Sequence, residues 1–238
     1  MKGPVLSILV PVYNEEKTLN TILSKVASLS IDSYEVIIVN DASSDGSLGI
    51  IDDFVRNFKG SPKVSLNVIS HARNKGKGAG IKTGLQNAKG RYFVIQDADL
   101  EYNPRDIPKL LNLAMKSGLS VVYGSRFRGD IEGMASSNYN ANRFYNFLLR
   151  RLYRTNITDM HTCYKMVETN LLKDLNIISD GFDYAPEVIS KLLRRGIEIH
   201  EVPISFRGRT KQEGKKINYR DGIECAYKIF KYRITRNI

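Results

Sequence analysis

Two carboxylates, Asp97 and Asp99, stand just past an apolar run, Tyr92-Phe-Val-Ile95. Alternation along a short extended stretch turns residues two apart to the same side, so the two acids share a face. Carboxylates held that close repel each other unless a cation sits between them. A hard cation such as Mg2+ takes one or two carboxylates and fills its other positions with water and phosphate oxygens. The pair therefore suits a metal that grips a nucleoside diphosphate. The plain alternative is a solvated strand-to-helix turn, with Pro104 near a helix start. An Asp-x-Asp is too common to decide between these alone.

The elements that must hold these acids alternate between strand and helix. Residues 5–10 read as an apolar strand stopped by Pro11, and residues 16–29 have helical periodicity. A second strand over 35–39 ends at Asn40-Asp41, and Ser44 or Asp45 can cap a helix running to Phe58. A third strand covers 64–69 and a third helix 78–88; a fourth strand, 92–95, carries the acids. Residues 107–115 are helical and 119–123 form a fifth strand. Near-continuous apolar strands separated by helices predict an α/β fold, a mostly parallel sheet with helices on both faces. Ligands in such sheets bind at the carboxyl ends of the strands. The polar groups fall there: Tyr13-Asn14-Glu15, Asp41, Asn74-Lys75-Gly76, Asp97-Ala98-Asp99 and Ser125-Arg126.

Beyond Arg126 the pattern changes. Residues 127–137 are Gly-rich and read as a mobile loop. Residues 139–153 form an amphipathic helix with Phe144, Phe147, Leu148 and Leu152 on one side and arginines on the others. A helix over 184–195, a strand over 197–204, a basic loop over 207–216 and a last helix over 219–233 complete the chain.

The chain of 238 residues, 42% hydrophobic, can bury one sizeable core. Its net charge is +11, and residues 190–238 hold thirteen Lys or Arg against five Asp or Glu. Such a tail suits an anionic partner: a phosphorylated substrate, a lipid surface or a nucleic acid. The basic residues lack regular aromatic interleaving, and the strand-end acids repel phosphate without a metal, so nucleic acid is not expected. Cys163 and Cys225 make neither a disulfide framework nor a zinc pattern, which fits a reducing compartment. His71, His161 and His200 are scattered, as surface or satisfied histidines are. No signal peptide and no run near the ~18 apolar residues of a membrane span is present.

Two nucleotide-binding patterns fail. Gly76-Lys-Gly-Ala-Gly80-Ile-Lys82-Thr83 places Ile81 where a phosphate loop needs Gly before Lys-Thr. The same stretch is not Gly-x-Gly-x-x-Gly either. Its glycines serve either a close backbone approach to a ligand or a turn.

The remaining segments converge. Their order is Pro11-Val-Tyr13-Asn-Glu15, Val39-Asn-Asp41-Ala-Ser-Ser-Asp45-Gly, Asn74-Lys-Gly-Lys77-Gly, Asp97-Ala-Asp99-Leu-Glu101, Tyr123-Gly-Ser-Arg126, Thr158-Asp159-Met-His-Thr-Cys-Tyr-Lys165 and Glu201-Val-Pro-Ile-Ser-Phe. With these the chain resembles the family 2 glycosyltransferases of GT-A fold. Within them it is similar to dolichol-phosphate mannosyltransferases and bacterial polyprenyl-phosphate hexosyltransferases. The likeness runs from Val5 to about Arg233, and the order and spacing together carry it.

The resemblance implies one GT-A domain over 1–238, with a nucleotide-sugar half (1–125) and an acceptor half (126–238). It implies an inverting, metal-dependent hexosyltransferase that uses a GDP- or UDP-linked sugar. The nucleotide sugar would meet Pro11, Tyr13, Glu15, Val39, Asp41, Lys77, Asp97, Ala98 and Asp99. Mg2+ or Mn2+ would sit at Asp97 and Asp99, joined by Glu101. Polyprenyl phosphate is the implied acceptor, near Arg126, Arg207, Arg209 and Lys215. Asp159, named as catalytic with Asp99, would orient the nucleophile, with helix capping as its plain alternative. Glu187 faces the same region in relatives. Asp45 is expected to cap a helix rather than touch ligand. A soluble or saccharide acceptor stays open. Many relatives carry transmembrane helices after this region; none follows here, so stable insertion is not expected. The implied location is the cytoplasm, with peripheral contact at a membrane face if the acceptor is a lipid.

Overall fold

The computed structural model describes residues 3–59, 63–181, 183–209 and 219–235. Its first half runs β1 (Leu6–Val12), α1 (Leu19–Ala27), β2 (Tyr34–Asn40), α2 (Ser47–Asn57), β3 (Val64–Ser70), α3 (Lys77–Asn87), β4 (Tyr92–Ile95), α4 (Ile107–Ser117) and β5 (Val121–Ser125). The second half runs β6 (Ile131–Glu132), α5 (Ser136–Tyr153), β7 (Lys165–Glu168), α6 (Thr169–Asp174), α7 (Tyr184–Arg194), β8 (His200–Pro203), β9 (Phe206–Arg207) and α8 (Tyr219–Ile234).

Seven strands form one sheet in the order β3-β2-β1-β4-β7-β5-β8. β3, β2, β1 and β4 are parallel, as the buried runs of β1, β2 and β4 predict; β3, at the edge, interleaves polar residues and is only partly buried. β2 is buried along its whole length. The helices bury apolar stripes on the sheet, such as Leu19, Ile22, Leu23 and Val26 of α1 and Ile107, Leu110, Leu111 and Ala114 of α4. The architecture is a mostly parallel α/β sheet covered by helices.

Three features differ from the sequence reading. β1 does not stop at Pro11; it pairs with β2 as far as Val12↔Asn40. β4 pairs with β1 only up to Leu9↔Ile95, so the missing N–H of Pro11 falls where one flank of the strand has no ladder. β7, which the sequence reading did not assign to a strand, lies antiparallel between β4 and β5 and joins the two halves of the sheet. Residues 127–137 are more than a loop. Ile131 and Glu132 pair in parallel with Phe206 and Arg207, and Tyr102 bridges Phe206. Gly133 (φ +66°) and Gly208 meet so closely that a Cβ on Gly208 would lie 2.7 Å from the Gly133 carbonyl oxygen. This small second sheet lays the chain from Phe206 to Arg209 across the acidic segment after β4.

Candidate active site

The acids sit where β4 leaves the core. The Gln96 amide still donates to Leu9 at 2.8 Å, and its side chain is pinned below by the Tyr164 hydroxyl. Asp97 then meets Lys77, the first residue of α3, with its ammonium 2.7 Å away. Burial alone would push the Asp97 carboxyl up, but the charge and hydrogen bond of Lys77 hold it below its ordinary range. Ala98 is buried beneath, and Leu100 takes a left-handed φ of +61° that returns the chain toward the rim. Asp99 accepts the Glu101 amide at 3.1 Å and a guanidinium N–H of Arg209 at 2.9 Å. Burial, then the charges of Asp97 and Glu101, push the Asp99 carboxyl up to about 7 against the pull of Arg209.

Arg209 gathers two further acids. Its guanidinium lies 3.6 Å from Glu15 and 3.8 Å from Glu101, and its amide donates to Glu101 at 3.0 Å. Glu15 itself comes from the turn after β1. There Asn14 adopts φ +56°, and the Glu15 amide donates to the Ser47 hydroxyl at 2.9 Å. Four carboxylates, Glu15, Asp97, Asp99 and Glu101, thus share one rim with two cationic side chains.

The expected nucleoside side is built by the ends of β1, β2 and β3. Asp41 is 6% exposed. Its carboxylate accepts the amides of Lys75 (2.9 Å) and Gly76 (2.8 Å), and His71 Nδ1 lies 2.7 Å away. His71 Nε2 in turn meets the Thr83 hydroxyl at 2.9 Å. Asp41 therefore shapes the glycine turn, in which Gly76 takes φ +91°. Tyr13 is exposed at 39%, whereas Val39 is fully buried and can only form a floor. The first amides of α3 are not open to a phosphate: Gly78 donates to the Asp180 carbonyl at 2.7 Å. The close approach those glycines allow is to the chain at Ser179-Asp180. Asp45 accepts the Ser47 amide at 3.0 Å and the Glu16 amide at 3.1 Å, and the cap position of α2 itself falls to Gly46.

The acceptor-side residues divide. The forked face of Arg126 is turned inward to Asp159, with Nε and Nη2 each at 2.7 Å, and Tyr102, Phe127 and Phe206 surround the guanidinium at 5.1 to 6.0 Å. Asp159 is 0% exposed, so it is not placed as a base facing the rim. Glu201 fixes this turn by accepting the amides of Thr158 and Asp159, each at 3.0 Å. Arg207 is exposed beside the rim, and Lys215 lies outside the described residues. Glu187 is buried, pairs with Lys191 at 2.6 Å and accepts the amides of Ile178 and Ser179.

Sequence reasoning missed His71 and Cys163. Cys163 donates to the Ile95 carbonyl at 3.3 Å and lies under Asp97. His71 was separated from Asp41 by thirty residues, and only the parallel pairing of β2 and β3 brings them together.

The family model described as glycosyl transferase family 2 matches residues 7–176. A dolichol-phosphate mannosyltransferase of Pyrococcus furiosus is 27% identical over 227 residues, covering 89% of this chain and 60% of the relative. An undecaprenyl-phosphate 4-deoxy-4-formamido-L-arabinose transferase of Aeromonas hydrophila is 29% identical over 198 residues, covering 82% and 58%. This chain thus spans about three fifths of the length of these relatives. Among solved structures, glucosyl-3-phosphoglycerate synthase of Mycobacterium tuberculosis, in complex with Mn2+, UDP and phosphoglyceric acid, shares the fold with a TM-score of 0.69 at 16% identity, over 97% of this chain and 77% of that one. S. aureus TarS with UDP-GlcNAc matches with a TM-score of 0.62 at 20% identity, over 92% and 64%. The match to the family model takes in the turns after β1, β2 and β3, the Asp97–Asp99 rim and the Arg126–Asp159 pair alike, and the chain belongs to glycosyl transferase family 2.

Proposed function

We propose that this glycosyltransferase moves a hexose from a GDP- or UDP-linked sugar to a polyprenyl phosphate, with inversion at the anomeric carbon. One observation carries the reading: Glu15, Asp97, Asp99 and Glu101 converge with Lys77 and Arg209 at the rim where a parallel sheet presents its ligands. The relatives named for dolichol phosphate and undecaprenyl phosphate support the acceptor class.

The donor type suits a hard divalent cation, since the rim offers only carboxylate oxygens and draws a guanidinium among three of them, although among the described residues no three acids close on one metal position. Mg2+ or Mn2+ would be held by Asp97 and Asp99 with Glu101 beside them, and would supply neutralisation of the departing diphosphate. Tyr13 offers an exposed ring to the base, Val39 and Ala98 an apolar floor. Asp41, through the Lys75-Gly76 turn, sets the wall of the nucleoside pocket. Lys77, Arg207 and Arg209 supply positive charge around the phosphates as the leaving group gains charge. Lys215 belongs to the same basic segment in the sequence.

The second half, 126–238, would receive the acceptor. A phosphate monoester with a second pKa near 6 is already ionised at pH 7, so it needs no strong base. That agrees with Asp159 acting through Arg126 rather than on the nucleophile. Among the described residues no helix is long and apolar enough to cross a membrane. α5 exposes Phe144 and Phe147, and the neighbouring α8 exposes Tyr227, Phe230 and Ile234. Tyr153 of α5 donates to Ile229 of α8 at 2.9 Å, so the two helices run together. Aromatic residues among arginines and lysines suit peripheral contact with an anionic lipid face.

A second reading has its own support. The M. tuberculosis neighbour is in complex with phosphoglyceric acid, a soluble phosphorylated acid. The test is a screen of UDP- and GDP-sugars with Mn2+ against a short-chain polyprenyl phosphate and 3-phosphoglycerate. Transfer to the lipid phosphate supports the main reading; transfer only to the soluble acid replaces it.

A further inference from the structure

We infer that Arg209 occupies the cation position of the acidic rim and must be displaced before a divalent metal can bind, so that metal entry depends on the nucleoside diphosphate. The inference rests on the metal reading above and deepens it. The guanidinium reaches Asp99 at 2.9 Å, Glu15 at 3.6 Å and Glu101 at 3.8 Å, which is how a cation among carboxylates is surrounded. Its backbone is not loosely placed. The Arg209 amide donates to Glu101 Oε1 at 3.0 Å, the Arg207 amide donates to the Glu101 carbonyl at 2.9 Å, and Phe206 bridges Tyr102. The contact is therefore built into the pairing of two chain segments more than one hundred residues apart. Lys77 completes the arrangement by neutralising Asp97 at 2.7 Å.

A carboxylate engaged by a guanidinium is not free for a metal, so the apparent metal affinity falls by the fraction of time the guanidinium is away. A nucleoside diphosphate changes that balance. Its phosphates offer Arg209 a forked anionic partner as good as a carboxylate. The side chain can then leave Asp99 for the diphosphate while the metal takes the acids, and no charge is left unpaired. Metal and nucleotide would bind as a coupled pair, each favouring the other.

The test measures Mn2+ binding by electron paramagnetic resonance to the wild-type chain, to Arg209→Gln and to Asp99→Asn, with Mn2+ alone and with UDP or GDP added. Arg209→Gln is expected to bind Mn2+ alone about tenfold more tightly than wild type, the factor one lost charged hydrogen bond represents. The enhancement by UDP or GDP should shrink accordingly. A residue with a merely structural role would give a loss of affinity, not a gain. Unchanged or weaker binding of Mn2+ alone by Arg209→Gln overturns the inference, while a loss in Asp99→Asn leaves the metal reading standing. If wild type binds no Mn2+ even with UDP or GDP, the metal reading fails and the inference fails with it.

Discussion

Arg126 and Asp159 close on each other inside the protein: Asp159 Oδ2 accepts both the Arg126 amide at 3.0 Å and its Nε at 2.7 Å, and Oδ1 accepts Nη2 at 2.7 Å. Both side chains are almost free of solvent, at 7% and 0% exposure. Removing one partner leaves a buried charge alone, which costs ~3–5 kcal/mol, whereas replacing both with apolar residues costs far less. Asp159→Leu and Arg126→Met should each lower the unfolding free energy by that order, and the double variant Arg126→Met/Asp159→Leu by less than the sum. Denaturant titration of the four proteins checks this. Asp159→Asn should keep measurable transfer to a phosphate acceptor. Its complete loss with donor binding intact would restore a direct chemical role for Asp159.

A second prediction concerns His71. The ring holds Asp41 on one side and Thr83 on the other, at 2.7 and 2.9 Å. Asp41 then has its carboxylate aimed at the Lys75 and Gly76 amides. His71→Ala frees that carboxylate to turn away and slackens the wall of the proposed nucleoside pocket. Losing one such hydrogen bond to a charged group is worth ~1.5–3 kcal/mol. KM for the sugar nucleotide should rise by about tenfold or more while kcat changes less. An unchanged KM would remove Asp41 from the donor site.

The glycines of the α3 turn give a third. A Cβ on Gly78 would lie 2.5 Å from the Ser179 carbonyl oxygen and 2.6 Å from the Asp180 carbonyl carbon. Backbone does not yield as a flexible side chain does, so Gly78→Ala must push the 179–180 segment off α3. Overpacking of this kind costs ~1–3 kcal/mol. The neighbouring Lys77–Asp97 pair should loosen too, so a lowered melting temperature and weaker nucleotide binding are expected together. Gly118, unlike Gly78, has a positive φ (62°), but nothing lies within 4 Å of its added Cβ. Gly118→Ala should therefore cost stability alone and spare nucleotide binding.

The first half of this molecule was legible because local signals agree there. β4 is an unbroken apolar run and β2 is one interrupted only by Glu35, and each leads into the polar residues that line the rim. That Asp97 and Asp99 follow β4 could be read from the sequence, but they lie in a turn beyond Ile95, so strand alternation does not set how they face each other. What could not be read were pairings between distant segments. Lys165-Met-Val-Glu168 is four residues long and carries two charged ends, so nothing local marks it as a central strand. Its place between β4 and β5 is fixed by its neighbours. Arg126 was expected to turn its fork toward a ligand phosphate. Burial changed its partner, because a guanidinium closed off by Tyr102, Phe127 and Phe206 requires an anion within reach, and Asp159 is that anion. Glu15 was read as a nucleoside contact, and its meeting with Arg209 depends on the β6–β9 pairing that no periodicity announces.

A last prediction follows from His161. Its Nε2 lies 3.2 Å from Cys225 Sγ and its ring packs edge-on to Tyr145 at 5.3 Å. Burial pulls its pKa down to about 3, and the charges of Lys165 and Arg126 act in the same direction against Asp159. The unfolded chain, with an ordinary histidine near 6.5, binds a proton first as pH falls. Between 6.5 and about 3 the unfolded state therefore carries more protons than the folded one, and unfolding free energy rises with pH across that window. The stability due to neutral His161 is present above 6.5 and is lost as pH drops, by at most ~1.4 kcal/mol per pH unit. His161→Gln cannot take up the proton and should remove this component. Urea titrations at pH 7, 6 and ~5, above the range where most carboxylates titrate, isolate it. The wild type should lose stability on acidification faster than the variant. Parallel curves for the two proteins would mean that His161 is protonated at the same pH folded and unfolded, and that its setting against Cys225 and Tyr145 is open to water.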